Sequence, residues 1–186
     1  MIARGGRLQE MQINYELTKQ DYIDFNLYHI SYSKTSRQAL FIQRYITSLI
    51  FLLAPFVVAR FTEIPLEYWL VTFAITYLLW VFFYPKYFKR VVGKRVSKMV
   101  DEGKNVDLLG YRTVTIDAEG LHSKSDVSES TIKWSSVENV VETKEHIFIY
   151  VSAISAHIVP FRIFETDKDK EEFLKVLHDF VREQIA

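Results

Sequence analysis

Two long apolar runs dominate the hydrophobic pattern of the chain. The first is YITSLIFLLAPFVVA at positions 45–59 and the second is YWLVTFAITYLLWVFFY at 68–84, with the polar link RFTEIPLE between them. Each is close to the roughly 17–25 residues a helix needs to cross a bilayer. The second run carries no charge and places Trp69 near one end and Trp80 and Tyr84 near the other, as interfacial aromatic belts do. The first becomes a full span when counted from Gln38 or Ala39, with Arg44 reaching toward the headgroups and Pro55 tolerated as a kink. The competing reading is a helical hairpin buried in a soluble core, but core helices are usually shorter and less uniformly apolar.

Outside the hairpin the period changes twice. Gln12 to Leu17 alternates, with Ile13, Tyr15 and Leu17 on one face, which predicts a half-buried strand. Thr18 then opens a helix, with Asp21 completing an acidic capping box, and the pattern predicts a break between Ser31 and Ser36 before the first span. After the second span, Tyr87, Phe88, Val91, Val92, Val96, Met99 and Val100 recur at helical spacing between basic residues. Gly103 reads as the C-cap of that helix.

From Asn105 onward short alternating segments replace helical spacing. Strands are predicted around Val114 and Ile116, at Leu121 to Lys124, Glu129 to Lys133, Val137 to Thr143, His146 to Val151 and Ala156 to Val159, with Pro160 as the stop. Thr166 and Asp169 cap a final helix whose apolar face is Phe173, Leu174, Leu177, Phe180, Val181 and Ile185. With the strand at Gln12 to Leu17 this makes about seven antiparallel strands and one closing helix. That layout predicts a membrane α-hairpin joined to an α+β part, a pleckstrin-homology-like (PH-like) antiparallel β-barrel split by the hairpin after its first strand.

The predicted organisation is residues 1–10 as a disordered leader (Met11 being an alternative start), 11–37 as an N-terminal strand and helix whose strand joins the barrel, and 38–84 as a two-span hairpin. Residues 85–104 form a basic amphipathic juxtamembrane helix and 105–186 the PH-like domain. Charge orients this arrangement. Lys34, Arg37 and Arg44 precede the hairpin and a basic run follows it, whereas the link sets Arg60 against Glu63 and Glu67. By the positive-inside rule both termini face the cytoplasm of a multi-pass protein of the cell membrane.

Composition narrows the chemistry. Overall charge is balanced at 23 basic and 23 acidic residues, so no global field argues for nucleic acid. There is no cysteine, which removes disulfides, thiolate metal sites, cysteine nucleophiles and palmitoylation. His29, His122, His146, His157 and His178 fall in no H-x-x-x-H or H-E-x-x-H pattern, although His122 and His146 would approach each other if their strands paired. The acidic pairs Asp117/Glu119, Asp126/Glu129 and Asp167/Asp169 lie in turns or helix starts, where carboxylates cap backbone N–H groups. No G-x-S-x-G elbow, P-loop or dinucleotide glycine pattern occurs. No catalytic residue, cofactor or metal is therefore expected, and Trp134 reads as a packing anchor before a ligand-stacking platform.

One further signature is carried by T-V-T-I-D-A-E-G-L at 113–121, T-I-K-W-S-S-V at 131–137, I-F-I-Y-V at 147–151 and H-I-V-P-F-R-I-F at 157–164. In this order they resemble bacterial YcxB-like membrane proteins. The resemblance implies a two-span membrane protein with a cytoplasmic domain similar to a bacterial PH domain, and it implies no activity.

The functional expectation is a membrane-anchored interaction or regulatory module with an unknown protein partner on the cytoplasmic side. That partner would dock by strand addition along Ala156 to Val159 or against the closing helix. The alternative is an anionic-lipid sensor in which Lys86, Lys89, Arg90, Lys94, Arg95 and Lys98 contact headgroups. The turns at Glu119-Gly120 and Asp126 to Ser128 are acidic or neutral, with Lys124 the nearest base, so they offer no phosphoinositide site. An enzyme acting on a membrane substrate is the weakest reading. Homo-oligomerisation through the hairpin is open, with no G-x-x-x-G face to support it.

Overall fold

The computed structural model describes residues 3–5, 10–102 and 108–183. They fall into two compact units, one built from residues 1–25 and 97–186 and the other from 26–96. The second is an insertion into the first.

The first unit holds two antiparallel sheets. Strands β1 (Ala3–Gly5), β2 (Glu10–Leu17), β3 (Gly110–Ile116), β4 (Leu121–Ser125) and β5 (Glu129–Ile132) form a five-stranded sheet in that spatial order. The alternation read in the sequence sets its buried face. Met11 and Ile13 of β2 stand opposite Ile116 and Val114 of β3, which in turn stand opposite Leu121 and Ser123 of β4, and all six are buried. Period-2 alternation puts every such partner on one side of the pleat. The β2–β3 ladder runs from Met11↔Ile116 to Leu17↔Gly110. The whole insertion therefore leaves and re-enters the sheet between neighbouring strand ends.

Strands β6 (Asn139–Glu142), β7 (His146–Ser152) and β8 (Ser155–Pro160) form a three-stranded sheet. His146 to Tyr150 are all buried, so the central strand is covered on both faces. Helix α1 (Lys19–Tyr32) covers one of them: Phe25 meets Phe148 edge-on at 5.4 Å and Tyr150 at 6.0 Å between ring centroids. Helix α5 (Asp167–Glu183) closes the unit over Trp134, whose ring stacks on Phe180 at 5.3 Å and whose Nε1 donates to the Asp117 carbonyl.

The first unit is thus α+β as the pattern predicts, but the described strands form two open sheets and not one closed barrel. Two local features explain the gap. The 3₁₀ turn Trp134–Ser136 diverts the chain out of the first sheet after β5. β8 ends at Pro160, which has no N–H to extend a ladder. There are eight described strands where about seven are expected, because Ala3–Gly5 pairs with β2 in a stretch read as a disordered leader. The open edge of β2 supplies the template for that pairing. The predicted cap at Gly103 lies outside the described residues, as does Ile185.

In the inserted unit, Ser33 caps α2 (Lys34–Phe41) through its hydroxyl, at the predicted break after α1. The first apolar run then passes through a π-turn, Ile42–Ile46, and a 3₁₀ turn, Thr47–Leu49, before α3 (Ile50–Val58). Ser48 Oγ donates to the Arg44 carbonyl at 2.6 Å across this irregularity. The second run lies in α4 (Leu66–Glu102), 37 residues long. At 1.5 Å per residue it extends about 55 Å, well beyond a hydrocarbon core of about 30 Å.

The basic stretch read as a separate helix over 85–104 is a continuation of α4, because Pro85 is accommodated within it. Proline cannot donate to the carbonyl four residues earlier, here Val81, and Arg44 Nε donates to that carbonyl at 3.0 Å instead. Tyr84 Oη donates to Gln43 Oε1 one turn away. Two helical stretches, Lys34–Val58 and Leu66–Glu102, are long and apolar enough to cross a membrane. Their large side chains point outward: Leu53, Phe56, Leu78 and Phe82 are each more than half exposed. Helix α5 (Asp167–Glu183), in the first unit, buries Phe173, Val176 and Leu177 on one face.

Candidate functional site

Asp21 and Phe25 are four residues apart on α1 and share a face; His146 and Phe148 are two apart on β7 and share another. Docking Phe25 onto Phe148 therefore brings Asp21 to His146. Asp21 Oδ1 accepts from His146 Nε2 at 2.9 Å. The imidazole lies nearly parallel to the Phe148 ring, 12° apart in plane at 5.6 Å.

Arg162 completes the cluster from the 3₁₀ turn Phe161–Ile163 that follows β8. It grips Asp21 with both ends of its guanidinium, Nη1 to Oδ1 at 2.5 Å and Nη2 to Oδ2 at 2.7 Å, and Nη2 also reaches the Glu16 carbonyl at 2.8 Å. Such bidentate pairs are the strong, orienting kind. Thr18 adds its backbone N–H and hydroxyl to Asp21 Oδ2, each at 2.7 Å, while Asp21 N returns to Thr18 Oγ1. This is the capping box predicted from the sequence, with a second purpose.

Asp21 is 2% exposed and His146 4%. Burial opposes ionisation of Asp21, yet the hydrogen bonds from Arg162, Thr18 and His146 outweigh it and hold the carboxyl well below the usual carboxylate range. The same pairing raises Arg162 further above its ordinary value. Asp21 is thus a fixed anion that orients the His146 ring.

These residues line a cavity of about 420 Å³ together with Thr18, Gln20, Asp24, Lys144, Glu145 and Phe161. Asp24 and Glu145 each bring a carboxylate oxygen within 4.8 Å of a His146 ring nitrogen and of each other. Among the described residues, this is the group of histidine and carboxylate side chains that could hold a metal ion. Glu145 is exposed and Asp24 half-buried.

The residues singled out from sequence fall elsewhere. Lys86, Lys89, Arg90, Lys94, Arg95 and Lys98 are all exposed on α4, and Lys98 pairs with Glu102 at 3.3 Å. Lys86 and Arg95 are about 14 Å apart along the axis by helical rise. His122 does not approach His146, since β4 and β7 belong to different sheets; it bonds Thr131 and Asp117 instead. Trp134 is a packing residue, with its face on Phe180. On β8, the Ile158 carbonyl already accepts from Tyr15 Oη at 2.7 Å, so a strand added there would displace Tyr15.

Residues 116–177 match the family model described as YcxB-like protein. That stretch is YcxB-like. The YcxB-like stretch runs from the end of β3 into α5 and carries Glu145, His146 and Arg162, whereas Asp21 and Asp24 lie outside it. The site is therefore composite, with its imidazole and guanidinium from the YcxB-like stretch and its other carboxylates from α1. No curated protein and no solved structure matches the chain.

Proposed function

We propose that this YcxB-like protein is a membrane-anchored binding module: the hairpin crosses the cell membrane twice, both termini face the cytoplasm, and the first unit presents a PH-like scaffold to a partner there. The observation that carries this reading is the outward-facing apolar surface of the hairpin. Val71, Leu78 and Phe82 are each over 60% exposed, and none of the second helix's apolar window is buried inside the chain. A helix that is hydrophobic all round needs an apolar surrounding, and lipid supplies it. The PH-like reading draws on the two antiparallel sheets and the capping α5. The cytoplasmic orientation draws on the basic residues that flank the hairpin at Lys34 and Arg37 and again from Lys86 to Lys98.

The exposed basic face of α4 supports a second reading, attraction to anionic headgroups, confined to the residues within a screening length of about 8 Å of the surface.

Topology tests the main reading. The chain has no cysteine, so Thr62→Cys in the link and Val127→Cys in the exposed β4–β5 turn report cleanly. In intact cells a membrane-impermeant thiol reagent is expected to label position 62 and spare position 127 until the membrane is opened. Labelling at 127 in intact cells would place the module outside and overturn the orientation.

A further inference from the structure

We infer that Asp24, Glu145 and His146 form a binding site for a divalent first-row transition ion, of the kind that Mn²⁺ or Zn²⁺ represents. The inference goes beyond the anchoring role proposed above and does not depend on which side of a membrane the unit faces.

Three independent features converge on it. The first is donor geometry: one ligand atom from each residue lies within 4.8 Å of the other two. Tetrahedral metal–ligand bonds of about 2.0–2.2 Å set donor atoms about 3.4 Å apart, so the triangle would close by at most about 1.4 Å a side, within reach of side-chain rotation.

The second is the state of the imidazole. His146 Nε2 is occupied by Asp21 Oδ1, which leaves Nδ1 as the nitrogen for an ion. A ligating histidine nearly always sends its other ring nitrogen to a carboxylate, which fixes the tautomer and strengthens the donor. Asp21 is that carboxylate here, itself locked by Arg162 and Thr18. A surface histidine that merely meets an acid does not need a buried anion clamped by a guanidinium behind it.

The third is charge. Asp24 and Glu145 are held close together, and no lysine or arginine among the described residues pairs with either. Among the described residues, Asp24 receives the Gln20 amide at 3.0 Å. Two adjacent carboxylates without a partner cation attract one. The residues also border an open cavity that leaves room for water or a ligand to complete the coordination. One imidazole with two carboxylates suits zinc or manganese better than calcium or magnesium, which take oxygen donors, and no thiolate is present to favour copper(I).

The test uses the full chain purified in detergent and titrated with Mn²⁺, following loss of the free-ion EPR signal, with Zn²⁺ as competitor. One ion per chain is expected to bind, and Zn²⁺ is expected to displace it. Glu145→Gln and Asp24→Asn, at exposed and half-buried positions, are expected to weaken binding at least tenfold each with the fold unchanged by circular dichroism. Asp21 acts as a positioning residue, so Asp21→Asn is expected to weaken binding while leaving the stoichiometry at one. Equal binding by wild type and the Asp24→Asn/Glu145→Gln double variant would overturn the inference, because the ion would then sit at other histidines. So would the absence of binding in the millimolar range.

Discussion

His157 stands opposite Ile149 in the β7–β8 ladder. Burial, with the nearby Arg112 charge, pushes its imidazole down to about 4. Between that value and the ordinary histidine value of about 6.5, the unfolded chain binds a proton that the folded chain refuses, so stability rises with pH across this window. The loss on acidification reaches at most about 3 kcal/mol, and less in proportion as the half-buried ring stays wetted. His157→Gln is expected to flatten the slope between pH 6.5 and 4 in denaturant unfolding of the full chain. An unchanged slope in that variant would assign the acid sensitivity elsewhere. Asp21 acts in a lower window: its depressed carboxyl contributes stability above about pH 4 that is lost as pH falls further. The helix-capping role of Asp21 was legible in the sequence, because Thr18 is three residues away. Its place as the hub of a buried cluster was not, because His146 and Arg162 lie 125 and 141 residues distant and no local pattern connects them.

At the scale of elements, periodicity carried most of the architecture. The strand at Gln12 to Leu17, the later strands and the capped final helix lie within a residue or two of their expected places, since turn and capping residues bound them. What periodicity could not reveal is how an element continues through an exception. Pro85 reads as a boundary, yet α4 runs through it because Arg44 crosses from the other helix to the Val81 carbonyl that Pro85 leaves without a donor. This is a hydrogen bond between side chain and main chain 37 positions apart, invisible to any window. It makes a coupling prediction. Arg44→Met leaves the Val81 carbonyl unsatisfied in apolar surroundings and is expected to cost about 1–3 kcal/mol. Pro85→Ala restores the backbone donor, so Arg44→Met is expected to cost about 1 kcal/mol less in that background. Unfolding the four proteins of the cycle in mixed micelles measures the difference. Equal costs in both backgrounds would mean that Arg44 holds its place for another reason.

At the scale of the molecule, the insertion point is the organising fact. Leu17 and Gly110 are cross-strand partners, so the sheet does not require the hairpin to bring β2 and β3 together. Loop-closure entropy grows only slowly with length, so a short flexible connection can replace a long insertion at little cost. α1 is different, because Phe25 and Asp21 cover Phe148 and His146 on the outer face of β7. A chain of residues 1–25 joined through a Gly/Ser linker to 97–186 is therefore expected to be soluble without detergent and to unfold cooperatively. Trp134 would be its sole tryptophan and, stacked on Phe180, would report the transition by fluorescence. A shorter chain, residues 1–17 turned directly into 110–186, keeps every β2–β3 pair but strips the cover from β7. Removing a buried phenylalanine alone typically costs about 3–5 kcal/mol, and His146 would lose its anion as well. This second chain is expected to aggregate or to lose its cooperative transition. Equal stability of the two would show that α1 contributes no cover to the sheet, and with it would fall the claim that the packing of Phe25 is what delivers Asp21 to His146.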